Sequence, residues 1–290
     1  MSHYSLQNDQ LQIRVRHQGA ELCNIIDRQS GLEYMWQAAP NIWGSHAPVL
    51  FPIIGGLKGG SYRYAGKSYR LPKHGMIRHA EDLSFSTGPD YIRCALKPNE
   101  RTRAIYPFDF EFELCYRLKG RSIIQEHRIH NTGSSPLPFS LGGHPAFRVP
   151  LRPDEQYADY ALRFEHYESA PSYQVNDEGL IANETRPGLQ GWELPLRHDL
   201  FAQDALVLRN HRSRSIALAH RERGEVLSVN FQGWPYLGIW AKTNGDFVCI
   251  EPWLGLSDST EASGDLFEKE GIQVLAPQQL FFADYEIKLA

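Results

Sequence analysis

The sequence predicts an all-β protein: a single large antiparallel β-sandwich, with residues 1–290 as one domain. Three observations carry this. Apolar and polar residues alternate at period two in many short runs, the spacing of a strand with one buried face. Turn-forming residues punctuate those runs along the whole chain. No window of a dozen residues holds an apolar stripe at helical spacing.

The runs justify the assignment in order. Leu11-Gln12-Ile13-Arg14-Val15 alternates cleanly, as do Phe110-Glu111-Phe112-Glu113-Leu114 and Ile123-Ile124-Gln125-Glu126-His127-Arg128-Ile129. Turn signals stand at Ala65-Gly66-Lys67, Asn131-Thr132-Gly133 and Thr243-Asn244-Gly245-Asp246. Asn-Gly between two strand-like runs predicts a tight hairpin, here joining 237–242 to 247–251. Pro171 to His198 is the most polar and turn-rich stretch and reads as a long surface excursion within the domain. The 18 prolines and 24 glycines are spread along the chain and mark no linker, which favours one sandwich over two joined domains.

Composition narrows the function classes. At 290 residues and 42% hydrophobic content, the chain can bury a sizeable core. A net charge of −4 argues against a nucleic-acid or anionic-membrane partner. Met1 to Asn8 lacks the basic and apolar regions of a signal peptide, and no apolar run approaches the length that spans a bilayer. Cys23, Cys94, Cys115 and Cys249 are far apart, form no CxxC pair and sit among apolar residues. They are expected to be buried free thiols, which points to a reducing, cytoplasmic compartment. Nothing in the sequence reads out an oligomeric state.

Two motifs carry chemistry. Gly142-Gly143-His144-Pro145-Ala146-Phe147 sets a histidine beside two glycines and a proline within an apolar stretch. The glycines remove side chains next to it and suggest a pocket floor that a ligand or another backbone approaches closely. An inert, hydrogen-bonded strand histidine is the competing reading. Cys249-Ile250-Glu251-Pro252-Trp253 sets a carboxylate in or at the end of a buried strand. There it must be paired, solvated by a pocket or shifted in pKa; an ion pair with an arginine competes with a tuned base. Trp253, two residues on, shares the strand face of Glu251. A histidine and a carboxylate are what proton transfer between two oxygens near neutral pH requires. Weaker candidates are His74 and Arg78, four apart on one loop, and Asp204, just before the apolar run Ala205 to Leu208. A solvated loop, and a turn or cap residue, are their ordinary readings.

The order of blocks resembles the aldose 1-epimerase (galactose mutarotase-like) family, in its short aldose 1-epimerase-like branch. They are Leu50-Phe51-Pro52-Ile53-Ile54-Gly55-Gly56-Leu57-Lys58, His74-Gly75-Met76-Ile77-Arg78, Gly143-His144-Pro145-Ala146-Phe147, Asp204-Ala205-Leu206, Trp234-Pro235-Tyr236-Leu237-Gly238-Ile239-Trp240 and Glu251-Pro252-Trp253. The resemblance runs from about Leu11 to Leu289 and implies one large β-sandwich. It implies interconversion of the α and β anomers of a free aldose, a hexose being expected, with no metal or organic cofactor and a small-molecule sugar as substrate. It makes Glu251 the base at the anomeric hydroxyl and His144 the acid at the ring oxygen, and places His74 and Asp204 on sugar hydroxyls.

Three positions depart from the branch. Gly56 stands where it often has arginine, and Met76 and Ile77 replace a more usual aromatic and alanine; Arg78 is kept. These bear on which sugar is used, a 6-phosphosugar included, more than on the reaction. Three readings stay open: a mutarotase, a non-catalytic sugar-binding protein on the same sandwich, and a metal enzyme using His74, His79, His144 and Glu251. The mutarotase reading expects His144 and Glu251 to line one cleft about a pyranose apart, with His74, Arg78 and Asp204 at its border.

Overall fold

The period-two runs fold as antiparallel strands. In the computed structural model, which describes residues 2–290 apart from the Asn183 side chain, 48% of the chain is strand and 9% helix. Strand Leu11–Arg16 buries Leu11, Ile13 and Val15 and turns the residues between them outward. Strand Ser122–Asn131 alternates in the same way, but its inward face carries Gln125 and His127 besides Ile123 and Ile129. Among the described residues the only α-helix is Glu100–Ile105, started by Asn99, whose side chain accepts from the Thr102 N–H.

Two sheets dominate. The larger has nine strands, in the spatial order Gly191–Pro195, Tyr160–Glu168, Ser215–His220, Gly224–Asn230, Leu280–Leu289, Ser122–Asn131, Phe110–Lys119, Tyr91–Leu96 and Ser84–Thr87. The other runs Ile181–Arg186, Ser172–Val175, Leu206–Leu208, Tyr236–Trp240, Phe247–Leu254, Leu141–Gly143 and Val49–Leu50, and Ala146–Arg148 also pairs with Phe247–Leu254. Inward residues of both sheets, such as Phe112, Ile123 and Tyr285 from the first and Phe147, Ile239 and Ile250 from the second, belong to one apolar cluster. All four cysteines are buried and free. Among the described residues no helix is long and apolar enough to cross a membrane.

The turn signal at Ala65-Gly66-Lys67 is a two-residue turn, Ala65-Gly66, between Ser61–Tyr64 and Lys67–Arg70, with φ of 48° and 74°. Asn244-Gly245 does not. Strands Tyr236–Trp240 and Phe247–Leu254 do pair, but their register begins at Trp240 with Cys249. The residues before Cys249 pair instead with Ala146–Arg148 on the other side. The connection is therefore wide, and its Lys242 and Thr243 are free to line the cavity described below.

The stretch from Pro171 to His198 is also more than a surface excursion. It holds strands Ser172–Val175, Ile181–Arg186 and Gly191–Pro195. The first two extend the eight-stranded sheet past Leu206–Leu208. Their polar residues are the open face of a sheet edge that also forms a cavity wall, which single-residue polarity does not distinguish from loop.

Candidate active site

Strand Phe247–Leu254 runs through the middle of the eight-stranded sheet with all eight residues buried. Glu251 lies opposite Gly238 on the neighbouring strand. A side chain at Gly238 would lie 2.6 Å from the Trp253 ring, so glycine there makes room for the indole. His144 sits where the other neighbour is interrupted, between Leu141–Gly143 and Ala146–Arg148. Pro145 cannot donate to a ladder, and the strand breaks there.

The two glycines before His144 have a different use from the expected pocket floor. A Cβ on Gly142 would lie 2.7 Å from Ile54 and 2.8 Å from Trp253. A Cβ on Gly143 would run into the hydroxyl of Tyr285, which comes from the nine-stranded sheet. Gly143 lets the two sheets close under His144, and Gly142 admits Ile54 and Trp253, rather than leave space for a ligand.

His144 Nε2 and Glu251 Oε2 are 3.3 Å apart, with side chains 9% and 2% exposed. This corrects the expectation of a pyranose-wide gap. On the mutarotase expectation, the two oxygens O1 and O5 are bonded to the same carbon, so an acid and a base for them would have to converge. The His144 ring stacks on Trp43 at 5.0 Å and meets the edges of Trp240 at 5.8 Å and His74 at 5.6 Å. The ordinary alternative for Glu251, an arginine ion pair, is not what the structure holds: no arginine pairs with it among the described residues.

Burial dominates the electrostatics of the pair. It pushes the Glu251 carboxyl well above the usual carboxylate range, with the Lys73 ammonium opposing and the Asp204 carboxylate adding. It pulls the His144 imidazole down to about 3, with the Arg78 guanidinium adding to the effect. Trp253 also favours ionised Glu251, although its indole N–H makes no hydrogen bond of ordinary geometry. Both dominant shifts favour the uncharged state of each partner, a carboxylic acid beside a neutral imidazole.

The weaker candidates are not solvated loop residues. His74 is buried, at φ 68°, and its Nδ1 accepts from the Gly55 N–H at 3.2 Å. An amide can only donate, so Nδ1 is the acceptor and Nε2 carries the proton, free to donate. Burial holds the His74 ring neutral, well below its usual range. Gly75 follows at φ 76° against the Phe51 carbonyl, where no side chain fits. Asp204 sits at φ 67° with its Oδ1 accepting from the Ala205 N–H at 2.7 Å. Two non-glycine residues held in the left-handed region at one site are strain that the surroundings must maintain.

His144, Glu251, His74, Arg78 and Asp204 all line one cavity of about 840 Å³, within the usual range of small-molecule sites. His79 does not line it, so the four-residue metal set is not assembled. His144, Cys249 and Glu251 do bring possible ligand atoms within 4.8 Å of one another. They fit a dication poorly: burial holds the Cys249 thiol protonated, and Lys73 and Arg78 put positive charge nearby. Sequence reasoning missed Lys73, Trp43, Lys242, Gln174 and Asp177, which also line the cavity. A tryptophan in the proline- and glycine-rich stretch Pro40 to Pro48, and a lysine beside His74, were the available signals.

The aldose 1-epimerase family model matches residues 2–270. The chain belongs to the aldose 1-epimerase family. Protein LacX of Lactococcus lactis subsp. lactis, in plasmid and chromosomal forms, is 34% identical over 294 residues, covering 98% of each chain. A galactose mutarotase related enzyme from Lactobacillus acidophilus is 32% identical with a TM-score of 0.95, over 100% of this chain and 97% of its own. A galactose mutarotase-like protein from Lactobacillus casei is 27% identical with a TM-score of 0.92, over 100% of both chains. Family membership and these neighbours support an epimerase of mutarotase type.

Proposed function

We propose that this family member is an aldose mutarotase, acting as one sandwich domain, with Glu251 as base and His144 as acid. The observation that carries the reading is their 3.3 Å approach inside a cavity that also presents His74, Arg78, Asp204 and Lys73 among apolar residues such as Ile54 and Val207. Ring opening starts with the pair as carboxylate and imidazolium. Glu251 takes the proton from the O1 hydroxyl, the C1–O1 bond becomes a carbonyl, the C1–O5 bond breaks, and His144 gives its proton to O5. The pair is then a carboxylic acid and a neutral imidazole, the state that burial favours. Its low-energy form thus matches the open-chain aldehyde. Rotation about C1–C2 presents the other carbonyl face. O5 attacks C1 and returns its proton to His144, Glu251 returns its proton to O1, and the cycle closes with no net proton change. Each group supplies about 10²–10⁴ in rate.

Nε2 of His74, the Asp204 carboxylate and Arg78 are suited to the remaining hydroxyls, and Trp43 and Trp240 to an apolar sugar face. The four buried thiols fit a reducing, cytoplasmic setting. A second reading, a hexose-6-phosphate mutarotase, is favoured by one observation. Lys73, Arg78 and Lys242 line the cavity, and among the described residues none is in an ion pair. The test is NMR exchange between anomers of glucose, galactose and their 6-phosphates with purified protein. Exchange above the spontaneous rate supports the proposal, and the preferred sugar separates the two readings. Sugar binding without exchange would make the protein a sugar binder and overturn it.

A further inference from the structure

Asp204 keeps a left-handed backbone at φ 67° although it is not glycine, so something must hold it there. Part of the hold is local: its N–H donates to the Phe201 carbonyl at 3.1 Å. The rest comes from Arg186, the last residue of strand Ile181–Arg186. One guanidinium nitrogen of Arg186, Nη2, donates to the carbonyls of both Asp204 and Ala205 at 2.8 Å, and Nη1 donates to Gln203 Oε1 at 3.3 Å. A single side chain thus grips three consecutive residues. All three line the cavity, and Arg186 does not.

Arg186 is itself held in place. It lies opposite Ser172 in the strand pair, and Ser172 Oγ accepts from the Val207 N–H at 3.0 Å, just beyond the gripped segment. At the far end of the same hairpin, the Ser257 hydroxyl contacts the Gly179 carbonyl. Among the described residues no carboxylate forms an ion pair with Arg186. Its two terminal nitrogens are spent on two backbone carbonyls and the Gln203 side-chain oxygen, an arrangement a lysine ammonium reproduces less well.

We propose that Arg186 is the positioning residue of the sugar site: without touching substrate, it fixes the turn that aims the Asp204 carboxylate into the cavity. This rests on the reading of Asp204 as a ligand for a sugar hydroxyl. A residue of this kind controls substrate affinity and leaves the proton-transfer pair untouched.

The test is a double-mutant cycle with Arg186→Met and Asp204→Ala, read by anomer exchange on α-D-galactose or its 6-phosphate, whichever wild type turns over faster. KM, kcat and Tm are measured on each variant. Arg186→Met is expected to raise KM about tenfold with kcat changed less than about twofold, and to add little once Asp204 is alanine, because coupled residues are non-additive. Arg186→Lys should fall between wild type and Arg186→Met; it carries the same cycle should Arg186→Met fail to fold. If Asp204→Ala raises KM and the Arg186 variants do not, or if the two effects simply multiply, the positioning role is wrong while Asp204 stands. If Asp204→Ala leaves KM unchanged, the assignment of Asp204 fails and takes the Arg186 proposal with it.

Discussion

His144 and Glu251 approach within 3.3 Å in a buried place, and burial moves their two titrations apart. The first proton leaves the doubly protonated pair near the depressed value of the imidazole, about 3. The last leaves near the raised value of Glu251. These values belong to the pair as a unit, and the working one-proton state spans the interval between them. We therefore expect kcat/KM to stay level through pH 6.5, where an ordinary histidine would titrate, with its acid limb displaced toward about 3 and an alkaline fall as Glu251 loses its proton. A midpoint near 6.5 in the acid limb would contradict this. The same shift sets a stability effect. The folded-state pKa of Glu251 is raised, so in the interval above its usual value the folded form binds more protons than the unfolded form, and stability falls as pH rises. Glu251→Gln removes that penalty and should be more stable than wild type at pH 8 by about 0.5–2 kcal/mol, read as a higher Tm. An equal or lower Tm would show that Glu251 is not held against its preferred charge.

At the scale of strands, the site depends on the two sheets meeting beneath Gly143. A methyl there would displace the Tyr285 hydroxyl, which is otherwise fixed by donating to Gln125 Oε1 at 2.6 Å. Gly143→Ala should cost about 1–3 kcal/mol by overpacking and lower anomer exchange, because the strain falls on the residue before His144. Unchanged Tm and activity would show that the sheets do not close tightly there. These strands were largely legible. Period two placed Leu11–Arg16 and Ser122–Asn131, and the block Cys249 to Trp253 placed the central strand. What failed needed partners that sequence does not show. Asn244-Gly245 reads as a tight turn, but pairing of Phe247 and Val248 with Ala146–Arg148 delays the register. The glycines before His144 read as pocket floor because the side chains that fill the space, Ile54 and Trp253 at Gly142 and Tyr285 at Gly143, lie far off along the chain. Lys73 and Trp43 were missed because only the folded chain brings their loops against His144.

Across the whole molecule, inward residues of both large sheets share one apolar cluster, with a smaller cluster around Leu50, Ile54, Val207 and Trp253 beside the cavity. A shared core predicts one cooperative unfolding transition by calorimetry, with calorimetric and van't Hoff enthalpies equal; two resolved transitions would mean two domains. The measurement that tests the account most directly is NMR anomer exchange at matched sugar saturation for wild type and Glu251→Gln, with sugar binding measured on the same samples. We predict that wild type exchanges well above the spontaneous rate. Glu251→Gln should lose about 10²–10⁴ in kcat, roughly 3–5 kcal/mol of transition-state stabilisation, while binding sugar nearly as well. A variant that binds sugar and exchanges anomers at the wild-type rate would contradict Glu251 as the base.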